Sequence, residues 1–202
     1  TLFRSIHVQE GDTVLVMGAG PIGCLHVRLA RALGAAKVFL ADVNGSRLAL
    51  SADVVHPDRA IDMSSEDLAE VIKEVTDGRG PSVIITAAPA GVAQEQAIHL
   101  AQPGGRISFF GGLPKDKPMI SVDSNLVHYK ELILAGANGS TPAQNKEALE
   151  LIASGKVKVS DLITTRVSLE NILDGIDAVV AIGDAHDAAT RGSLIDGGLH
   201  GS

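Results

Sequence analysis

The chain has 202 residues with a formal net charge of −7, 45% hydrophobic and 20% charged residues, which is typical of one large domain or of one domain with part of another. Because no Lys/Arg block stands out and no apolar run approaches the length of a membrane-spanning helix, we expect neither a nucleic-acid partner nor a membrane partner. A single cysteine, Cys24, excludes an internal disulfide and a multi-cysteine metal site, and without a signal-peptide pattern it leads us to expect a cytoplasmic protein.

Strand and helix patterns alternate along the chain, which favours a parallel sheet with crossover helices. Short apolar runs predict six strands at residues 13–17, 37–42, 60–63, 82–88, 106–112 and 131–137. Helical periodicity predicts helices at residues 22–33, 44–50, 64–80, 90–101, 124–130 and 142–154, with one more after an extended piece within 162–181. Asn44 and Ser65 are the predicted N-caps of the second and third helices.

This order predicts an α/β fold, a doubly wound (Rossmann) six-stranded parallel sheet with helices on both faces. We place a dinucleotide-binding domain at residues 8–155. In such sheets ligands bind outside the carboxyl ends of the strands, and small residues gather at most of those ends in this sequence.

A glycine motif follows the first predicted strand: Gly18, Gly20 and Gly23 form G-x-G-x-x-G. The first glycine permits a tight turn, the second lets the backbone approach a pyrophosphate, and the third lets the helix pack close to the strand. The helix then presents free N–H groups to the phosphates, and Pro21 suits its first turn. A glycine turn without a ligand would look the same in the sequence.

Asp42 lies 19 positions after Gly23, at the end of the second predicted strand. Its carboxylate can accept hydrogen bonds from the adenosine ribose and would repel a 2′-phosphate, so NAD is favoured over NADP. The alternative for Asp42 is a charge at a helix N-terminus, next to Asn44. Arg47 either lies over the adenine or near a phosphate, or is a solvated charge on the helix surface. Together, the motif and Asp42 predict NAD binding.

Longer stretches, "GDTVLVMGAGPIG", "RLARALGA", "TDGRGPSVIITAA", "QPGGRISFFGGLPK" and "NLVHYKELILAGANGS", resemble the zinc-type medium-chain alcohol and polyol dehydrogenases, sorbitol (L-iditol) dehydrogenase above all. The resemblance covers about residues 7–180. It implies an N-terminal catalytic domain, missing from this chain, that holds the zinc, and a C-terminal return segment at residues 156–182 that packs on it. We expect the Gly-rich tail at residues 183–202 to be disordered.

The resemblance also implies the cofactor contacts. Gly18, Gly20, Pro21, Ile22 and Gly23 would bind the pyrophosphate, with Ile22 donating its N–H, while Asp42 and Arg47 would hold the adenosine end. Ala88 and Pro89 would flank the nicotinamide half, and Phe110, Gly111, Gly112, Ala137 and Asn138 would meet the ring and its carboxamide. No catalytic or metal-ligating residue is predicted in this chain.

Several other residues invite a chemical role but favour packing. His26 and His99 lie in predicted helices with no carboxylate or cysteine at metal-ligand spacing, and His128 precedes the sixth strand. Cys24 begins the first helix, where the dipole can lower a thiol pKa, but a small buried packing residue is the favoured interpretation.

The resemblance implies an enzyme that oxidises a secondary alcohol of a polyol or sugar alcohol and transfers the hydride to NAD. This chain alone would bind NAD without turnover, and a homodimer through the coenzyme domain is expected. Two alternatives stay open: a stand-alone nucleotide-sensing Rossmann domain, and an S-adenosylmethionine-dependent methyltransferase, which can share the Gly-rich turn and the acidic second-strand end.

Overall fold

The computed structural model describes residues 6–179, in which six parallel strands form one sheet in the order β3-β2-β1-β4-β5-β6. The strands are β1 (Thr13–Met17), β2 (Lys37–Asp42), β3 (Arg59–Asp62), β4 (Val83–Thr86), β5 (Arg106–Phe109) and β6 (Ile133–Gly136). The chain starts in the middle of the sheet, runs outward to β3, and returns to β4 beside β1. The strand order therefore reverses between β1 and β4, which creates a crevice at the carboxyl edge.

Helices connect these strands. They are α1 (Pro21–Ala32), α2 (Gly45–Val55), α3 (Leu68–Val75), α4 (Gly91–Leu100), α5 (Ser124–Tyr129) and α6 (Pro142–Ala153), followed by a 3₁₀ turn at Ser160–Leu162 and by helical residues at 172–179. The predicted doubly wound sheet is confirmed.

Alternate strand residues supply two hydrophobic cores, one on each face of the sheet. Val14 and Val16 point to the face covered by α1 and α2, while Leu15 and Met17 point to the face covered by α3 and α4. Each of these four side chains is 2% exposed or less. The sheet is thus buried on both faces, which leaves its carboxyl edge as the surface for a ligand.

Three predicted helix boundaries are wrong: both ends of the third helix, which spans Leu68–Val75 and not residues 64–80, and the end of the second helix. The third helix is capped by Asp67, whose carboxylate accepts hydrogen bonds from the Ala69 and Glu70 N–H groups, and not by Ser65. Ser65 lies in a turn in which its N–H donates to the Asp62 carbonyl. The second helix continues past Leu50 to Val55, because Val55 is buried against the first core.

A network of polar side chains, here called the amino-end clamp, closes the opposite edge of the sheet. Arg106 on β5 donates to the Asp12 carboxylate (Nη2–Oδ1 2.5 Å) and to the Ile6 and His7 carbonyls. Ser82, before β4, donates to the same carboxylate oxygen at 2.8 Å. Because Asp12 and Arg106 are largely buried, the clamp ties the segment before β1 to β4 and β5.

The described part of the chain divides into two compact units between Leu162 and Ile163. Val157 is buried and Leu162 packs against the first core, so the first unit continues past residue 155, where the sequence analysis placed the domain end. The proposed return segment falls partly in each unit, and residues 183–202 lie outside the described residues. Among residues 6–179, no helix has the length and apolar character needed to cross a membrane.

Candidate functional site

The turn after β1 is packed more tightly than a side chain would allow. Gly18 has φ +116°, and a Cβ there would lie 3.1 Å from the Ala87 carbonyl and 3.2 Å from the Ala88 nitrogen. Its N–H donates to the Ala41 carbonyl at 2.7 Å, so the turn is fixed between the ends of β2 and β4. Gly18 is therefore required by both its backbone angle and its surroundings.

Gly23 and Gly20 have opposite environments. A Cβ on Gly23 would lie 1.8 Å from the Gly18 carbonyl oxygen, whereas a Cβ on Gly20 would have no atom within 4 Å. The missing side chain of Gly23 lets α1 approach the turn, and that of Gly20 leaves space in front of the helix. A pyrophosphate fits this arrangement, because it needs close approach to backbone and room on the open side.

The N-terminus of α1 faces this space. Pro21 is the first residue of the helix, and among the described residues no side chain caps it. The Cys24 N–H donates to the Gly20 carbonyl at 3.0 Å, so the helical ladder begins there and the Ile22 and Gly23 N–H groups precede it. These groups and the positive end of the helix dipole favour an anion.

Asp42 lies at the carboxyl end of β2, next to the phosphate turn. It is 4% exposed, and its Oδ2 accepts the Ala19 N–H at 2.6 Å while its Oδ1 accepts the Asn44 N–H at 2.7 Å. The bond from Ala19 connects the acid directly to the glycine turn. Asn44 caps α2, as predicted, by accepting the Arg47 N–H at 2.9 Å.

Arg47 forms a two-pronged ion pair with Asp42. Its Nε lies 3.1 Å from Oδ2 and its Nη2 lies 2.6 Å from Oδ1. Of the two alternatives for Arg47, the solvated charge is not what the structure shows, because the guanidinium lies on the acid that would hold the ribose. The pair places an acceptor and a cation together at the carboxyl end of β2.

The ends of β4 and β5 continue the cradle on the other side of β1. The Ala87 N–H donates to the Met17 carbonyl at 2.8 Å, and the Gly111 N–H donates to the Thr86 carbonyl at 2.8 Å. A Cβ on Gly111 would lie 2.5 Å from the Ala88 carbonyl oxygen. Gly18, Ala88 and Gly111 are thus in continuous backbone contact.

The remaining predicted residues lie at the outer end of this edge. Pro89 and Gly112 are exposed, and a Cβ on Gly112 would have no atom within 4 Å. Ala137 and Asn138 directly follow β6, whose pairing with β5 ends at Phe109 and Gly136. The structure therefore brings the predicted residues to one edge, with Asp42 and Asn138 toward its opposite ends.

The Phe110 ring packs against the ring of His26, a buried residue of α1. The two rings meet edge to face, with centroids 4.9 Å apart and an interplanar angle of 80°. His26 is fully buried, and this burial lowers its pKa to about 3, so the ring is neutral at physiological pH. The predicted packing role of His26 agrees with this contact.

Sequence reasoning missed two supports of the cradle. The Ser51 hydroxyl on α2 donates to the Ala19 carbonyl at 2.7 Å, and the Gln94 side-chain amide on α4 donates to the Gly111 carbonyl at 3.1 Å. No local pattern marks either residue, since each acts across helices on a distant turn.

The zinc implied by the resemblance has no ligand set in the described part of the chain. Within residues 6–179, no three His, Cys, Asp or Glu side chains are grouped closely enough to hold a metal ion. A groove of about 510 Å³ between α3 and α4, lined by Leu68, Gln96 and His99 among others, contains none of the predicted cofactor-binding residues.

A sequence profile of the zinc-binding dehydrogenase family matches residues 21–154, which begin at the first residue of α1 and include Gly23, Asp42 and the ends of β4 to β6. The chain belongs to this family. It is 33% identical over 169 residues to an L-threonine 3-dehydrogenase of Rhizobium rhizogenes, covering 84% of this chain and 48% of that protein. It is also 33% identical over 184 residues to a protein of Arthroderma otae named "probable D-xylulose reductase A", covering 88% of this chain and 50% of that protein.

A solved structure agrees with this assignment. A protein from Escherichia coli CFT073 described as a short chain alcohol dehydrogenase, complexed with NADH, superposes with a TM-score of 0.78 at 28% identity, covering 87% of this chain and 50% of that chain. The predicted resemblance to medium-chain alcohol and polyol dehydrogenases is confirmed. The chain spans about half the length of the curated relatives it matches.

Proposed function

We propose that this chain is the NAD-binding part of a zinc-dependent dehydrogenase that oxidises a secondary alcohol of a polyol or sugar alcohol. The observation that carries the proposal is the contrast within the glycine motif: Gly18 and Gly23 are closed by neighbouring backbone, while Gly20 faces open space before the α1 N-terminus. Such a turn has a shape and a set of N–H donors that suit a pyrophosphate.

The direction of the cofactor follows from the two sides of the turn. The Asp42–Arg47 pair lies on the β2 side, and ribose hydroxyls would reach this carboxylate by displacing the Arg47 guanidinium from it. The other half of a dinucleotide would then extend over β4 and β5, where Ala88, Gly111 and Gly112 leave the backbone accessible. This assigns the nicotinamide to the end supported by Phe110.

When bound, NAD accepts a hydride from the alcohol carbon. The residues of this chain bind and orient the cofactor for that step: backbone amides hold the phosphates, Asp42 holds the ribose, and the β5 turn supports the nicotinamide. We assign the zinc to a catalytic domain before this segment, and residues 156–182 to a segment that returns to that domain. The resemblance and the similarity to a D-xylulose reductase support the polyol class.

The experiment is a titration of the 202-residue chain with NADH, followed by nicotinamide fluorescence, beside calorimetric titration with S-adenosylmethionine. We expect NADH to bind and S-adenosylmethionine not to bind, with no turnover of polyols by this chain.

Gly20→Val should abolish NADH binding without lowering the melting temperature, because the side chain would fill the phosphate space. Binding of S-adenosylmethionine, or polyol turnover by this chain, would contradict the proposal. Assays of the longer protein with polyols and with L-threonine would then decide the substrate.

The preference for NAD over NADP is part of the proposal and has its own test. Asp42→Ala removes the carboxylate that would repel a 2′-phosphate and releases the Arg47 guanidinium to meet it. We expect the ratio of NADPH to NADH affinity to rise at least about tenfold, a free-energy change of about 1.4 kcal/mol. An unchanged ratio would show that Asp42 does not discriminate between NADH and NADPH.

We also propose a homodimer through the coenzyme domain. β6 is the edge strand of the sheet, and Ile133 on it is 52% exposed, as expected of a strand that pairs with another chain. Ile133→Lys should shift the mass measured by light scattering from dimer to monomer, while Leu149→Lys on the exposed face of α6 should not. A monomeric wild-type chain would contradict the proposed homodimer.

We also propose a cytoplasmic location, which rests on the single cysteine of the sequence.

A further inference from the structure

Gln94 connects α4 to the turn after β5. It is 5% exposed, and its Nε2 donates to the Gly111 carbonyl at 3.1 Å. A buried side-chain amide directed at a backbone carbonyl fixes that carbonyl, because leaving either group unpaired in the interior is costly.

The Gly111 backbone is also held on its other sides. Its N–H donates to the Thr86 carbonyl, and its α-carbon lies so close to Ala88 that a Cβ would be 2.5 Å from the Ala88 oxygen. These two contacts keep the turn from moving toward β4. They do not determine the orientation of the peptide group between Gly111 and Gly112. The bond from Gln94 sets it.

This orientation determines where the next donor points. In a trans peptide the carbonyl and the following N–H point in opposite directions, so a Gly111 carbonyl turned toward Gln94 directs the Gly112 N–H away from α4. Gly112 is exposed and lies outside the helices and strands. Within residues 6–179, its N–H donates to no backbone carbonyl. The edge thus presents a fixed donor beyond Ala88 and Gly111.

We infer that Gln94 is a positioning residue for the nicotinamide half of the cofactor: it holds the Gly111–Gly112 peptide so that the Gly112 N–H meets the nicotinamide carboxamide. This inference rests on the proposed function, which places that half of NAD over β5. Gln94 itself does not touch the cofactor, and its effect passes through one peptide group.

The chain offers a matched control on the same helix. Gln96 lies two residues further along α4, and within residues 6–179 its buried Oε1 has no hydrogen-bond partner. The same substitution, glutamine to methionine, can therefore be made at both positions. At Gln94 the substitution removes the hydrogen bond to the Gly111 carbonyl. At Gln96 it removes an Oε1 that has no described hydrogen bond.

The experiment compares NADH with ADP-ribose, which has the adenosine, the pyrophosphate and the second ribose but no nicotinamide. Gln94→Met should raise the Kd for NADH about 3- to 10-fold, the effect of one lost hydrogen bond, and change the Kd for ADP-ribose less than about twofold. Gln96→Met should leave both values unchanged. Equal weakening of both ligands by Gln94→Met, or no weakening of either, would overturn the inference.

A second measurement uses the wild-type chain, so that a variant that fails to fold leaves the inference testable. The side-chain NH₂ resonances of Gln94 should shift on adding NADH and stay in place with ADP-ribose. Identical responses to the two ligands would overturn the inference. A wild-type chain that binds neither ligand would instead overturn the proposed function, and this inference with it.

Discussion

The two edges of the sheet are built in different ways. At the amino edge, the clamp of Asp12, Ser82 and Arg106 satisfies side-chain and backbone groups with one another. At the carboxyl edge, contact is mainly backbone to backbone, through glycines packed against Ala88 and against each other. The helix that starts there, α1, has no side-chain cap among the described residues.

This difference separates stability from function. At the amino edge, the charged and polar side chains of the clamp are bonded to one another and connect the segment before β1 to β4 and β5. The carboxyl edge keeps N–H groups at α1 and open space at Gly20, which are the features that the proposed dinucleotide site uses. Substitutions at the two edges should therefore affect different measurements.

The largest expected effect is at Gly23. Gly23→Ala should lower the free energy of unfolding by about 4 kcal/mol or more, because the new Cβ would overlap the Gly18 carbonyl and force α1 from the sheet. Gly20→Ala is the control in the same turn and should change stability by less than about 1 kcal/mol. Urea denaturation checks both, and similar losses at the two positions would refute the contrast within the motif.

The second expected effect is at the amino-end clamp. Arg106→Met leaves the buried Asp12 carboxylate without its cation and should cost about 3 kcal/mol of stability. The Kd for NADH of the folded protein should stay unchanged, since the clamp lies at the opposite edge. The comparison would fail if this variant lost affinity for NADH while its melting temperature held.

A smaller effect comes from the neutral histidine beneath the carboxyl edge. Burial lowers the pKa of His26 to about 3, against about 6.5 in an unfolded chain, so below pH 6.5 the unfolded state binds a proton that the folded state does not. Stability should therefore fall as the pH drops, by about 1 kcal/mol between pH 7 and pH 5.5 from this residue.

The measurement is urea denaturation at both pH values for the wild type and for His26→Leu, which should lose this part of the pH dependence. His99→Leu, at an exposed position on α4, is the control and should keep the wild-type dependence. An identical dependence in His26→Leu and the wild type would show that His26 has the same pKa in the folded and unfolded states, and would contradict this prediction.

The sequence predicts the sheet and the glycine turn because both depend on short-range patterns. Apolar runs mark the strands, and the spacing of Gly18, Gly20, Gly23 and Asp42 marks the phosphate turn. The third helix shows the limit of this approach. Ser65 and Asp67 are both good caps, and Ser65 is excluded because its N–H donates to the Asp62 carbonyl in a turn before the helix.

The supports of the cradle could not be predicted in the same way. Arg106 pairs with a residue 94 positions away, and Gln94 reaches a carbonyl 17 positions away, so neither contact has a local signal. Arg47 lies only five positions after Asp42, but the sequence left open whether its side chain binds the cofactor or is a solvated charge, and it did not indicate the pair with Asp42. Such contacts follow from how helices pack on the sheet.

The central claim is that the carboxyl edge binds a dinucleotide and the amino edge does not. The most direct measurement is the change in backbone amide NMR shifts when NADH is added to this chain. The account predicts large shifts at Ile22, Gly23 and Gly112, and none at Asp12 or Arg106. Shifts that cluster at the amino edge, or in the groove between α3 and α4, would contradict it.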